Sequence, residues 1–362
     1  MSSFVKPQSA RTCSSGKILT VGCFPVYLCA MKKVRYTDWV PLGWQGFLMR
    51  IPAEWNPGRI TGGFHSGSIR IDDTEMVRME LEWREDREDV AISSTVDRFV
   101  EALEKQIQRK SGPLEVHRPF AMPGTRGRLS GDDQEIIFWE TDFRVYALAR
   151  RFRKSKRLVF IRIIGKLKED ILGVARDILL SLEDQDPEVP GIWALYDLLC
   201  HIPQGFDLDT SSLRSGHIQL KFLDGETTLQ VDRLSMAAVL LRERSLQDWF
   251  EDFYDKLLRD LDFHIEPFSG QRHPGIRFEG RPKSRLRGFL SPLPFFYAKK
   301  RFFLEGWAWH CPESNKIFAA LTVYKREGEA APLEEVCREV VCHQSKSPDQ
   351  SRSDAYLKTH SE

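Results

Sequence analysis

The chain has 362 residues, 29% of them charged and 41% hydrophobic, with a formal net charge of +1. That length suits two ordinary domains with a core each, and that composition excludes a disordered or membrane-embedded chain. Lys plus Arg, 53, nearly equal Asp plus Glu, 52, so no global field draws the molecule to nucleic acid or an anionic lipid surface.

At the N-terminus, ILTVGCFPVYLCA (18–30) follows Arg11 and Lys17 and ends in small residues, the outline of a signal-peptide core. Pro25, Cys23 and Cys29 interrupt it, and MKKVRYTDW begins directly afterwards at Met31. Residues 1–36 therefore read as a poorly ordered extension or a misassigned start of a cytoplasmic protein. Export is the alternative, if residues 1–30 act as a signal peptide. The seven cysteines, Cys13, Cys23, Cys29, Cys200, Cys311, Cys337 and Cys342, are odd in number and form no C-x-x-C pair, which points to a reducing compartment. No apolar stretch reaches the ~20 residues that cross a bilayer, so no membrane span is expected.

From residue 37 the chain spells one unit twice. RIPAEWN (50–56) returns as HIPQGFD (201–207), with Pro52 on Pro203 at an offset of 151. SGSIRID, with Gly67, parallels SGHIQLK, with Gly216. MVRMELEW (76–83) alternates Val77, Met79, Leu81 and Trp83 with Arg78, Glu80 and Glu82, the pattern of a half-buried strand, and TTLQVDRL (227–234) answers it more weakly. A helix is predicted next in both halves. Val96, Phe99, Val100, Leu103 and Ile107 form its apolar stripe in the first, and Leu246, Trp249, Phe250, Phe253 and Leu257 in the second. Ser94 with Asp97 and Ser245 with Asp248 supply capping signals.

Further on, PGTRGRLSG parallels HPGIRFEG, with Gly124 against Gly275. Closing strands are expected at IIFWETD, RVYALARRF and RLVFIRIIG in the first half, and at RGFLSPL, FFLEGWAWHC and KIFAALTVY in the second. Each half ends in an amphipathic helix, carrying Ile171, Val174, Ala175, Ile178 and Leu179, or Leu333, Val336, Val340 and Val341. DQDPEVPG (184–191) has the composition of an exposed linker, and the final stretch that of a disordered tail.

The expected fold is therefore α+β: two homologous domains, each a twisted antiparallel sheet packed with helices. The first repeat is 37–183, the linker 184–192, the second repeat 193–343 and the tail 344–362. GFLMRIPAEW, the glycine before the second strand, the mid-unit helix, the RGRLSG turn and the closing strand-then-helix resemble the fold shared by PsbP-like photosystem subunits, the Ran-binding nuclear import factor of that fold and DcrB-type bacterial proteins. The resemblance covers about 300 residues and implies one antiparallel sheet per unit. It also implies membership of a group that is mostly non-enzymatic, acting in binding or assembly, and it offers no catalytic residue to carry over.

The residues themselves match no phosphate loop, dinucleotide fingerprint, nucleophile elbow, H-E-x-x-H helix or calcium loop. No catalytic residue and no cofactor is expected. His310 and Cys311 in WHCPES, with Cys342 and His343, make the best metal candidate, but adjacent strand residues point to opposite faces and the paired spacing of zinc ligands is missing. No metal is therefore expected. The pairs Asp72 with Asp73 and Asp132 with Asp133 read as turn formers.

RRFRKSKR (150–157) places Arg150, Arg151, Arg153, Lys154, Lys156 and Arg157 at an expected hairpin turn, a candidate partner contact. The competing reading is a solvated tip, since no stacking aromatics accompany it. Trp55, ending the first strand of the repeat phrase, is the other candidate contact, while Trp83, Trp139 and Trp249 fall on apolar faces. The sequence thus suggests a non-enzymatic binding or assembly protein with an unknown protein partner. Its alternatives are an enzyme with a site between the domains, or weak polyanion binding through the basic turn, with nucleic acid not the expected partner.

Overall fold

The computed structural model describes residues 32–86, 90–111, 114–270, 273–283 and 302–343. The tail, most of the N-terminal extension, the RGFLSPL strand and Cys13, Cys23 and Cys29 lie outside them. The extension's last residues are docked: β1 (Lys32–Lys33) pairs in parallel with Glu169 and Asp170.

The first half opens with a hairpin, β2 (Trp39–Trp44) and β3 (Phe47–Pro52). Strands β4 (Asn56–Gly62), β5 (Ser66–Asp72) and β6 (Val77–Glu85) follow, then helix α1 (Ile92–Ser111). Next come β7 (Val116–His117), β8 (Gln134–Glu140), β9 (Phe143–Phe152), β10 (Arg157–Lys166), β11 (Glu169–Asp170), α2 (Leu172–Ser181) and β12 (Glu183–Asp184). An antiparallel sheet forms in the order β4-β5-β6-β10-β9-β8-β7.

Strand alternation sends its side chains to two cores. Ile137, Trp139, Ala147 and Ala149 meet the apolar stripe of α1 on one face, while Ile136, Tyr146, Leu148 and Ile161 meet α2 and the hairpin on the other. The capping signal at Ser94 is not used as expected. α1 starts earlier, at Ile92, and Asp97 instead accepts from Arg118.

The second half runs β13 (Gly191–Leu195), β14 (Leu198–Ile202), β15 (Asp207–Arg214), β16 (His217–Asp224) and β17 (Thr227–Ser235). Three short helices follow, α3 (Ala237–Leu240), α4 (Leu246–Phe253) and α5 (Asp255–Leu258). It closes with β18 (Leu261–Gly270), β19 (His273–Pro282), β20 (Phe303–Cys311), β21 (Lys316–Tyr324) and α6 (Leu333–Glu339). Its sheet order, β15-β16-β17-β21-β20-β19-β18, repeats the first strand for strand.

Two expectations change here. HPGIRFEG is a strand, β19, rather than the counterpart of the PGTRGRLSG turn. The stripe predicted as one helix breaks at Tyr254, whose hydroxyl donates to the buried Asp232 carboxylate at 2.8 Å. Ser245, by contrast, caps α4 through the full reciprocal box with Asp248.

The halves join edge to edge rather than through an uncovered sheet face. β12, β3, β2, β13 and β14 form a five-stranded sheet, with β2 meeting β13 at Gly43 and Ala194. A Cβ on Gly43 would lie 2.6 Å from the Ile192 carbonyl oxygen, so only glycine admits this approach. The expected linker is likewise bound into the structure at its start. Glu183 and Asp184 pair with Leu48 and Phe47, and the Gln185 side chain closes on the backbone N–H and carbonyl of Ile192. Around this joint one apolar cluster runs through both halves, from Trp44 and Phe47 to Trp193 and Phe222. The protein is thus mostly sheet, with two large antiparallel sheets.

Candidate functional site

The basic turn lies where expected, between β9 and β10, but the fold consumes most of its charge. Arg157 is 1% exposed: it pairs with Asp184, donates to the Gln45 carbonyl, and stacks over Phe47 and Phe64 with Cζ 3.8 and 4.3 Å from the ring centroids. Burial pulls its pKa down, against the opposing pull of Asp184. Arg151 is also buried, on Asp86 and the Val90 carbonyl, and Arg150 donates to the Leu182 carbonyl at 3.2 Å. Arg153 forks onto Asp133 at 2.6 and 2.7 Å, and Lys154 pairs with Asp186. Lys156 is exposed in a left-handed turn conformation. Of the six basic candidates, Arg151 and Arg157 are therefore structural, with no surface to offer a partner.

Trp55 does not line a groove. It is 3% exposed and donates its indole N–H to the Tyr36 hydroxyl at 3.1 Å. The paired acids serve the fold too: Asp72 accepts from Arg70 at 2.9 Å, and Asp73 from Arg78 at 2.6 Å. Arg78 reaches on to Glu169, also at 2.6 Å, and so ties β6 to β11. Burial raises the Asp73 and Glu169 carboxyls, but the bonds from Arg78 and from backbone N–H groups outweigh it and hold both below the usual carboxylate range.

Two arrangements remain that could do something. The first is an open groove of about 570 Å³ beside α1. Leu158, Phe99 and Phe160 give it an apolar floor, and Arg84, Arg98 and Glu82 stand exposed along its edge. Arg162 lines it as well, held by Glu80 at 3.1 Å and by Glu82.

The second lies at the end of the other large sheet. Cys311 closes β20, His273 opens β19, and Cys342 and His343 follow α6, their ligand atoms all within 4.8 Å of one another. His343 Nδ1 is 3.3 Å from each sulfur and 3.4 Å from His273 Nε2. The sequence argument against a shared ion holds for the neighbouring pair, since His310 is outside this group. It overlooks His273. Continuing the β19–β20 ladder two residues past Gly275 and Trp309 puts His273 opposite Cys311, 38 positions away in sequence.

No family model matches the chain, and neither does any curated protein. Among solved structures it is similar to the immunity protein TplEi of T6SS from Pseudomonas aeruginosa, complexed with an "L" peptide, at 13% identity over 84% of this chain and 98% of that one. The TM-score is 0.32, too low to carry an argument about fold or function here.

The groove escapes the sequence reading, and the second group is read only in part: Cys311, Cys342 and His343 are singled out, with His310 where the fold supplies His273. Each joins residues from separate elements: Glu82, Phe99 and Phe160 from two strands and a helix, His273 and Cys342 from opposite ends of the closing segment. The available signal for the second was the strand register, which the alternation of β19 and β20 carries once their pairing is assumed.

Proposed function

We propose that the protein is a non-enzymatic binding or assembly module made of two duplicated PsbP-like α+β units, with a protein partner seated in the groove beside α1. The groove carries this reading. Its apolar floor and charged edge provide the mixed surface that protein recognition uses. Among the described residues no helix is long and apolar enough to cross a membrane.

Duplication draws its support from backbone detail beyond strand order. Gln45 and Tyr196, 151 apart, turn their hairpins with φ of 51° and 56°. Lys156 and Asn315, 159 apart, do the same at 54° and 53°. Non-glycine residues take such angles rarely, so coincidence at matched positions favours common descent of the two units.

An enzyme with a cleft between the units finds little support, because the apolar cluster around the joint fills that region. Polyanion binding through the basic turn is weakened by the carboxylates that already pair with it.

Affinity capture with the native chain and with the double variant Arg84→Glu, Arg98→Glu tests the proposal. A protein retained by the native chain and lost by the variant, at unchanged melting temperature, is the expected result. Equal retention by both refutes the groove as the contact.

A further inference from the structure

We propose that Cys311, Cys342, His273 and His343 form a structural zinc site that fastens the segment after α6 to the ends of β19 and β20. The donor set comes first. Two thiols and two imidazoles are the ligands that select a tetrahedral, redox-inert ion, and zinc is the metal of choice for an S₂N₂ set.

The dimensions agree. With Zn–N about 2.0–2.1 Å and Zn–S about 2.3 Å, a tetrahedron has edges of roughly 3.4 Å between nitrogens and 3.6 Å between nitrogen and sulfur. The observed spacings from His343 Nδ1 are 3.4 Å to His273 Nε2 and 3.3 Å to each sulfur, and no pair in the group exceeds 4.8 Å. A small inward adjustment of the wider pairs closes the set.

The surroundings are those of an enclosed site. Cys311 and Cys342 are 0% and 4% exposed, and the His273 side chain is 7% exposed. Cys311 Sγ also lies 3.7 Å from the Cys342 carbonyl oxygen. On the open side stands the Glu313 carboxylate, 3.5 Å from Cys311 Sγ and 3.6 Å from His273 Nε2. With four protein ligands no coordination position is left for substrate or water, which makes the role structural rather than catalytic.

Binding leaves the electron count unchanged: Zn²⁺ takes the places of the two thiol protons, which pass to solvent, and each imidazole coordinates through its neutral nitrogen. The remaining described cysteines differ in kind. Cys200 and Cys337 are enclosed by apolar side chains, and burial pushes the Cys200 thiol up to about 12 and raises Cys337 as well.

The test uses the full chain purified under reducing conditions, stripped of metal, and reloaded with Zn²⁺ alone or with Co²⁺ alone. One tightly held zinc per chain and a cobalt spectrum with tetrahedral thiolate bands are expected. Cys342→Ser and His273→Ala should lose the zinc, whereas His310→Ala, one residue from Cys311, should keep it. Since a ligand variant can fail to fold, His343→Cys supplies a second arm. It should retain zinc and shift the cobalt bands toward a three-sulfur set. Failure of the reduced native chain to retain zinc, an octahedral cobalt spectrum, or full zinc retention by both Cys342→Ser and His273→Ala overturns the proposal. So does a Cys311–Cys342 disulfide that persists in the reduced preparation.

Discussion

The two halves close the corresponding corners of their two large sheets with opposite chemistry. In the first, Arg157 at the start of β10 meets Asp184, the third residue beyond α2, under a lid of Phe47 and Phe64. In the second, Cys342 is the third residue beyond α6 and meets Cys311 and two histidines instead. The positions are equivalent in the ladders: Glu183 pairs with Leu48, and Val341 bridges to Leu199, 151 residues on. Lys316, where the first unit has Arg157, leaves the corner and reaches Asp197 at 2.5 Å. One strand order thus carries a charge pair at this corner in the first half and a cluster of thiols and imidazoles in the second.

The largest expected effect is on the charged clasp. Arg157→Met should cost about 3–5 kcal/mol in a urea unfolding titration, since it strands Asp184 in a buried position without its partner. The double variant Arg157→Met, Asp184→Leu should recover much of that loss; if it does not, the ring stacking rather than the ion pair holds the corner.

A second contrast lies in acid, at the Arg78 bridge that ties β6 to β11 in the first half. Asp73 and Glu169 titrate below the unfolded carboxylate values of about 4, so the stability they lend the first unit is complete at neutral pH and is lost as pH falls through their depressed values. Replacing Arg78 by Met should flatten that part of the stability curve below about pH 4, measured by urea titration at successive pH values.

The next contrast is among sulfurs. With zinc bound, peptide mapping after alkylation at pH 8 should find Cys200, Cys337, Cys311 and Cys342 all protected. A chelator should then expose Cys311 and Cys342 while Cys200 and Cys337 stay unlabelled. Labelling of Cys200 before Cys311 would place the looser packing in the joint instead of the corner.

The smallest effect separates the two capping signals. Ser245→Ala should cost about 1 kcal/mol, whereas Ser94→Ala, inside α1, should change stability by only a few tenths.

These contrasts show where the sequence is legible. The alternation in β6, the apolar stripe of α1 and the Ser245 box are local patterns, and each reports its own element faithfully. Ser94 carried the same letters without the same role, because the packing of Ile92 beneath the helix extends it past the expected start. The burial of Trp55, Arg151 and Arg157 and the convergence of His273 on Cys311 depend on register and on contacts between distant segments. Charge in a sequence marks what must be satisfied; only the fold says whether water, a partner or Asp184 satisfies it.

The rung that joins the halves has one more property. Gly43 pairs with Ala194, and 194 is 43 advanced by the same 151 residues that separate Pro52 from Pro203. A position facing its own counterpart across antiparallel strands lies on a local twofold axis. On the duplicated-unit reading, the tandem chain therefore preserves within one molecule the interface of a symmetric dimer. A single unit released from its sibling would offer the open edge of β2 to a second copy of itself.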